Sequence, residues 1–173
     1  MLIRLARETD YAAAVKLYAE FGGDVPGISG DEGLARWREI LAHPGTSVIV
    51  AADEGKDATA GGQEKGQACD PDPSCVPVCA IVTLHVLPNM TYLGRPYALI
   101  ENVITSQRYR GKGLGRLVME RAIDMAWEAG AYKIMLLTGK GRKDGGAKGF
   151  YESMGFSDED KHGMTLRKLP TRK

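Results

Sequence analysis

IENVITSQRYRGKGLG, residues 100–115, passes from an apolar strand pattern into a basic, glycine-spaced turn and then at once into an amphipathic helix. Gly111, Gly113 and Gly115 alternate with Lys112 and Leu114. Glycine lets the backbone approach a ligand closely and adopt positive φ without strain. The first amides of a helix have no acceptor within it, and the helix dipole favours an anion there. Arg110, Lys112 and Arg116 add formal charge at the same place. The pattern is that of a phosphate or pyrophosphate site at a helix N-terminus. A glycine-rich surface turn that binds nothing is the plainer alternative.

The helix that follows, residues 114–130, carries Leu114, Leu117, Val118, Ala122, Met125 and Ala129 at the spacing of one apolar face. Gly130 is a natural stop. Two better-known phosphate loops do not fit. A Walker A loop needs four residues between its first glycine and Gly-Lys-Ser/Thr. A dinucleotide fold needs G-x-G-x-x-G, whereas the spacing here is G-x-G-x-G.

Thirty-four residues after Gly115 comes GFYESMGF, residues 149–156. It reads as a short helix ended by Gly155, with Phe156 entering a strand. The order is strand, anion-binding turn, helix, strand (132–138), helix, strand. This combination resembles the GNAT superfamily of acetyl-CoA-dependent N-acetyltransferases. Residues 110–115 match that family's pyrophosphate loop, and Phe150-Tyr151-Glu152 with Gly155-Phe156 match its second signature. The likeness is clearest over residues 99–169. IENV (100–103), AYKIMLL (131–137), GFYESMGF and the ending HGMTLRKLP narrow it to glucosamine-phosphate N-acetyltransferases and their bacterial relatives.

The resemblance implies an α/β (α+β) fold: a mixed, mostly antiparallel sheet flanked by helices. Strands 100–105 and 132–138 would run parallel and splay apart to admit the pantetheine arm. It also implies acetyl-CoA as co-substrate, with Val103, Ile104, Thr105, Arg110, Gly111, Lys112, Gly113, Leu114, Gly115 and Arg116 binding it. A homodimer is expected on the same ground. Tyr151 would lie beside the CoA sulfur, and a phenol, largely protonated near neutral pH, can donate to a thiolate. A packed tyrosine beside Phe150 is its bland reading.

Glu101 is the candidate base, directly or through a water. Period-two alternation puts it with Val103 and Thr105 on one face, and Ile100 and Asn102 on the other. An acid among apolar residues calls for an explanation. A structural carboxylate, or one that only positions the acceptor, is equally open. The oxyanion donor is expected among the backbone amides of residues 103–105. Residues 139–148, GKGRKDGGAK, could clamp an acceptor phosphate or the 3′-phosphate of CoA, or form a solvated basic loop. Many family members have Asn four residues before the tyrosine; here Ala147 stands there. His85 could line the acceptor site, although a strand histidine is more often structural.

At 173 residues the chain is expected to form a single domain, 1–173, with a sizeable core. A net charge of +1 gives no general case for nucleic acid. No apolar run approaches a membrane span, and the start, MLIRLARETD, lacks a signal segment, so a cytoplasmic protein is expected. Cys69, Cys75 and Cys79 leave one thiol unpaired, and their spacing is not a usual zinc pattern, so no metal is expected. Strands are expected at 1–6, 46–52, 78–87 and 96–105. Helices are expected at 10–21, with Gly22-Gly23 as its stop, and at 31–42, with Leu34, Trp37, Ile40 and Leu41 apolar. Residues 54–77, rich in Gly, Pro and charge, read as a flexible loop. The function expected is direct acetyl transfer to a primary amine of a small molecule, with an amino-sugar phosphate as the specific acceptor. A protein or peptide amine, or a non-catalytic CoA-binding module, are the alternatives.

Overall fold

In a computed structural model of the chain, five strands form one sheet in the order β1-β2-β3-β4-β5. They are β1 (Leu2–Leu5), β2 (Thr46–Ala52), β3 (Val78–Leu87), β4 (Tyr97–Thr105) and β5 (Ile134–Leu136). The helices are α1 (Tyr11–Phe21), α2 (Gly30–Ala42), α3 (Leu114–Glu128) and the short α4 (Lys148–Glu152). The structure describes residues 1–21, 29–53, 76–139, 147–160, 162–166 and 168. Gly22-Gly23, Cys69, Cys75, most of the expected 54–77 loop and Lys140, Arg142 and Lys143 lie outside them. The chain divides into two compact units, Met1–Met135 and Leu136–Lys173.

β1 to β4 pair antiparallel in sequence order. β5 lies beside β4 in the same direction: the Tyr132 amide donates to the Pro96 carbonyl, and the Ala98 amide to that of Lys133. The sheet is therefore mixed, with one parallel pair. β5 spans three residues, shorter than the expected 132–138.

β2 and β3 are buried on both faces and read as near-continuous β-branched and apolar runs. One face, with Val48, Val50, Ile81 and Ile104, packs against Ala13, Ala14 and Leu17 of α1 and Trp37 of α2. The other, with Ile49, Ala51, Ala80, Val82, Leu84 and Ile100, is fully buried beneath α3. Each large side chain enclosed this way stabilises by roughly 1.5–3 kcal/mol. On α3 the buried stripe is Leu114, Val118, Met119, Ala122 and Ala126. Leu117 and Ala129, expected on that stripe, are exposed. On α2, Trp37 is buried with its Nε1–H donating to the Arg7 carbonyl at 3.1 Å, while Ile40 is exposed.

Asp10 closes the entry to α1. Its carboxylate accepts from both terminal nitrogens of the Arg4 guanidinium, at 2.7 and 2.9 Å, and from the Arg7 amide at 2.7 Å. Burial alone would raise its pKa; these bonds outweigh burial and hold the carboxyl below its ordinary value.

In the second unit, α4 carries Phe150 and Tyr151, and Gly155 follows at φ +90°. Among the described residues after Gly155 none is in a strand, contrary to the strand expected from Phe156. The Phe156 amide instead folds back to the Tyr151 carbonyl at 3.2 Å.

Candidate active site

The geometry of β4 departs from simple alternation at one place. Ile81 of β3 faces Ile104, yet Thr83, two residues on, faces Glu101, three residues back. One extra residue is accommodated in β4, at Asn102–Val103, opposite Val82. Asn102 takes it up with φ +53°, a left-handed conformation that Asn tolerates better than most residues.

The bulge corrects the expected faces. Glu101 lies with Ile104, Thr83 and His85 on the α1/α2 side; Thr105 lies with Ile100 and Ala80 on the other. Glu101 and Thr105 therefore do not share a face. Glu101 is half-buried. Its cross-strand neighbour Thr83 is buried and hydrogen-bonded to Tyr18, whose phenol burial pushes up.

Beyond Thr105 the chain makes a 3-10 turn, Gln107–Tyr109, and enters the loop. Gly111 has φ +74°, and Gly113, the N-cap of α3, has φ +80° and ψ −4°. A Cβ at either would meet nothing within 4 Å, so the need for glycine is conformational. The first bond closing α3 runs from the Leu117 amide to the Gly113 carbonyl. The amides of Leu114 and Gly115 precede it, at the positive end of a fifteen-residue helix.

Side chains brace this turn from below. The Arg110 Nε–H donates to the Thr105 carbonyl at 3.2 Å. The Lys112 ammonium sits 5.0 Å from the centre of the Tyr109 ring. Arg116 pairs with Glu120 at 3.8 Å. Two braces had no visible signal in the sequence. Glu20, at the end of α1, accepts from the Ser106 hydroxyl at 3.0 Å and the Gln107 amide at 2.8 Å. Cys79, fully buried, is hydrogen-bonded to the Tyr109 hydroxyl, and burial pushes its thiol up. A thiol held in its neutral form packs and does not attack.

Residues 103–105 and 110–116 are thus gathered by chain continuity along one strand, turn and helix start. Tyr151 belongs to the second unit. It is half-buried there, with its ring edge-on to Phe150 and Phe156 at 5.2 and 6.2 Å between centroids. Ala147 is the N-cap of α4 and contributes no side-chain cap. Among the described residues no three His, Cys, Asp or Glu side chains gather to hold a metal, and no helix is long and apolar enough to cross a membrane.

The model of the acetyltransferase (GNAT) family matches residues 16–156, which include both β4 with its turn and the Tyr151 helix. The chain belongs to the GNAT acetyltransferase family. It is similar to the solved structure of a putative acetyltransferase from Agrobacterium tumefaciens str. C58, with 34% identity and a TM-score of 0.79, over 97% of this chain and all of that one. It is also similar in fold to glucosamine-6-phosphate N-acetyltransferase from Arabidopsis thaliana, with 22% identity, a TM-score of 0.72 and 97% of each chain covered. A transcriptional regulator from Bacillus halodurans C-125 has 26% identity and a TM-score of 0.69, over 96% of this chain and 98% of that one. No curated protein matches. Membership in the GNAT family supports acetyl transfer, for which the family generally uses acetyl-CoA.

Proposed function

We propose that the protein transfers the acetyl group of acetyl-CoA directly to a primary amine of a small molecule, with an amino-sugar phosphate as the acceptor. The observation that carries this is the turn at the start of α3. Left-handed Gly111 and Gly113 expose helix-start amides beside Arg110, Lys112 and Arg116, a fit for the CoA diphosphate. The amino-sugar choice rests on IENV, AYKIMLL and GFYESMGF.

The chemistry needs an unprotonated amine, a donor for the oxyanion and an acid for the departing sulfur. Glu101 is the carboxylate that meets the acceptor amine, and its half-buried place beside Thr83 suits that role. The amides of residues 103–105 serve the oxyanion. The bulge supports this, because an extra residue leaves the local ladder incomplete. Tyr151 gives its proton to the sulfur. Lys148, the described basic residue of 139–148, is paired with Glu152 at 3.4 Å and Asp158 at 3.0 Å, so a phosphate clamp in this stretch would fall to Lys140, Arg142 and Lys143. A homodimer belongs to the same reading and is checked by light scattering.

The test is release of CoA thiol from acetyl-CoA across amino sugars and their phosphates, amino acids, polyamines and peptides, alongside calorimetry of acetyl-CoA. Binding together with fastest turnover on an amino-sugar phosphate is the expected result. Turnover only on peptides would overturn the acceptor, and binding without any turnover would overturn the catalytic reading.

A further inference from the structure

Two histidines share one hydroxyl on the α1/α2 side of the sheet. Thr46 Oγ1 lies 2.9 Å from Nδ1 of His85 and 3.1 Å from Nδ1 of His43. The Gly45 amide donates to the same His43 Nδ1 at 3.2 Å. A Cβ on Gly45 would stand 2.8 Å from the Val86 carbonyl, so glycine keeps this turn pressed against β3. The Val86 amide donates back to the Gly45 carbonyl at 2.8 Å.

One placement of the hydrogens leaves no two acceptors facing each other. A backbone amide can only donate, so His43 Nδ1 presents its lone pair. The single Thr46 hydrogen can then go to either ring. If it went to His85, the Thr46 oxygen and the His43 nitrogen would face each other as two acceptors at 3.1 Å. If it goes to His43, the Thr46 oxygen accepts from His85 Nδ1–H, the Gly45 amide and the Thr46 hydroxyl share the His43 lone pair, and no two acceptors face each other. His85 is then the Nδ1–H tautomer, with the lone pair on Nε2. Protonating Nε2 disturbs none of these bonds, since Nδ1–H still donates.

His85 pairs with Leu99 and Thr83 pairs with Glu101, so His85 and Glu101 are diagonal neighbours on one face. Such neighbours lie about 7–8 Å apart, room for one amine nitrogen or a water between them. We infer that His85 Nε2 takes the proton from the acceptor ammonium while Glu101 holds that ammonium, with Thr46 and His43 as positioning residues that fix the tautomer. This rests on the N-acetyltransferase reading above.

The step balances. The ammonium N–H bond breaks and its proton goes to Nε2, giving imidazolium and a neutral amine. The amine nitrogen bonds to the thioester carbon, the C–S bond breaks, Tyr151 gives its proton to the departing sulfur, and the second N–H proton shed by the new amide nitrogen restores the phenol. The imidazolium releases its proton to solvent. The other described charged and titratable groups on this side of the sheet include Glu101, His43, Tyr97 with the Lys133 ammonium 5.6 Å from its ring centre, the hydrogen-bonded Tyr18 and Thr83, Tyr11, and the Arg4–Asp10 ion pair opposite Val50.

Nitrogen-15 NMR of the imidazoles and steady-state kinetics on the full chain test this together. The wild type should show His85 as the Nδ1–H tautomer, and Thr46→Val should release it towards Nε2–H. His85→Gln should lower kcat roughly 10²-fold, remove the acidic limb of the pH–rate profile and leave acetyl-CoA affinity, read by calorimetry, as in wild type. Glu101→Gln should instead raise the acceptor KM and keep the limb. A wild-type His85 with its hydrogen on Nε2 overturns the inference, as does His85→Gln with wild-type kcat. A wild type that turns over no amine overturns the acetyltransferase reading itself and takes the base role with it. That failure is told apart from the others because the wild type itself is then inactive.

Discussion

At its C-terminal end β4 runs into a turn made of main-chain amides, where residues 111–115 need little from their side chains. Four residues before that end, Glu101 sits on a face where Thr83, His85 and Thr46 offer only side chains. The first kind of site is set by φ angles and a helix start. The second is set by register, which one inserted residue shifts to the opposite face. The two should fail differently: backbone changes in affinity, side-chain changes in rate or acceptor recognition.

The largest effect is expected at Tyr151, a side-chain role. Tyr151→Phe should lower kcat by about 10²-fold, the low end for losing a positioned acid. Acetyl-CoA affinity by calorimetry should move far less. A phenylalanine variant with wild-type kcat would take the proton-donor role away from Tyr151.

Gly113→Val attacks the other kind of site. A β-branched residue at φ +80° costs about 1–2 kcal/mol, and about 1.4 kcal/mol is tenfold in affinity. The acetyl-CoA dissociation constant should rise about tenfold, with kcat at saturation nearly kept. If kcat fell and affinity held, the division between the two regions would be wrong. Glu101→Gln should raise the acceptor KM about fivefold, as expected when about 1 kcal/mol of a half-buried ion pair is lost, with acetyl-CoA affinity unchanged.

The same division explains what could be read from the chain. Strands 46–52 and 78–87 were legible to the residue, because both faces are buried and the β-branched runs say so. The turn at 110–115 was legible because its left-handed residues and helix start are written in the glycine spacing. The face of Glu101 was not. Alternation assumes an unbroken ladder, and the one cue against it, Asn102 in mid-strand, is weak without its φ of +53°. Ile40 and Leu117 were misplaced for a related reason: helical spacing gives a stripe but not its edges. Glu20 and Cys79 brace the turn across long sequence separations, which no local pattern records.

Lys112 separates charge from backbone within the turn itself. Its ammonium is exposed and rests 5.0 Å from the Tyr109 ring centre, a contact worth about 0.5–1 kcal/mol at such a site. If the amides of Leu114 and Gly115 do most of the gripping, Lys112→Ala should weaken acetyl-CoA binding only about threefold, by under 1 kcal/mol. The deficit should shrink as salt is raised, because an exposed charge is screened within about 10 Å at 0.1 M ionic strength. The Gly113→Val deficit, being conformational, should persist at the same salt. Calorimetry of the two variants at low and high salt makes the comparison directly. A Lys112→Ala loss as large as that of Gly113→Val would show that the diphosphate is held chiefly by side-chain charge, and the turn would then belong with the Glu101 face as a site built from side chains.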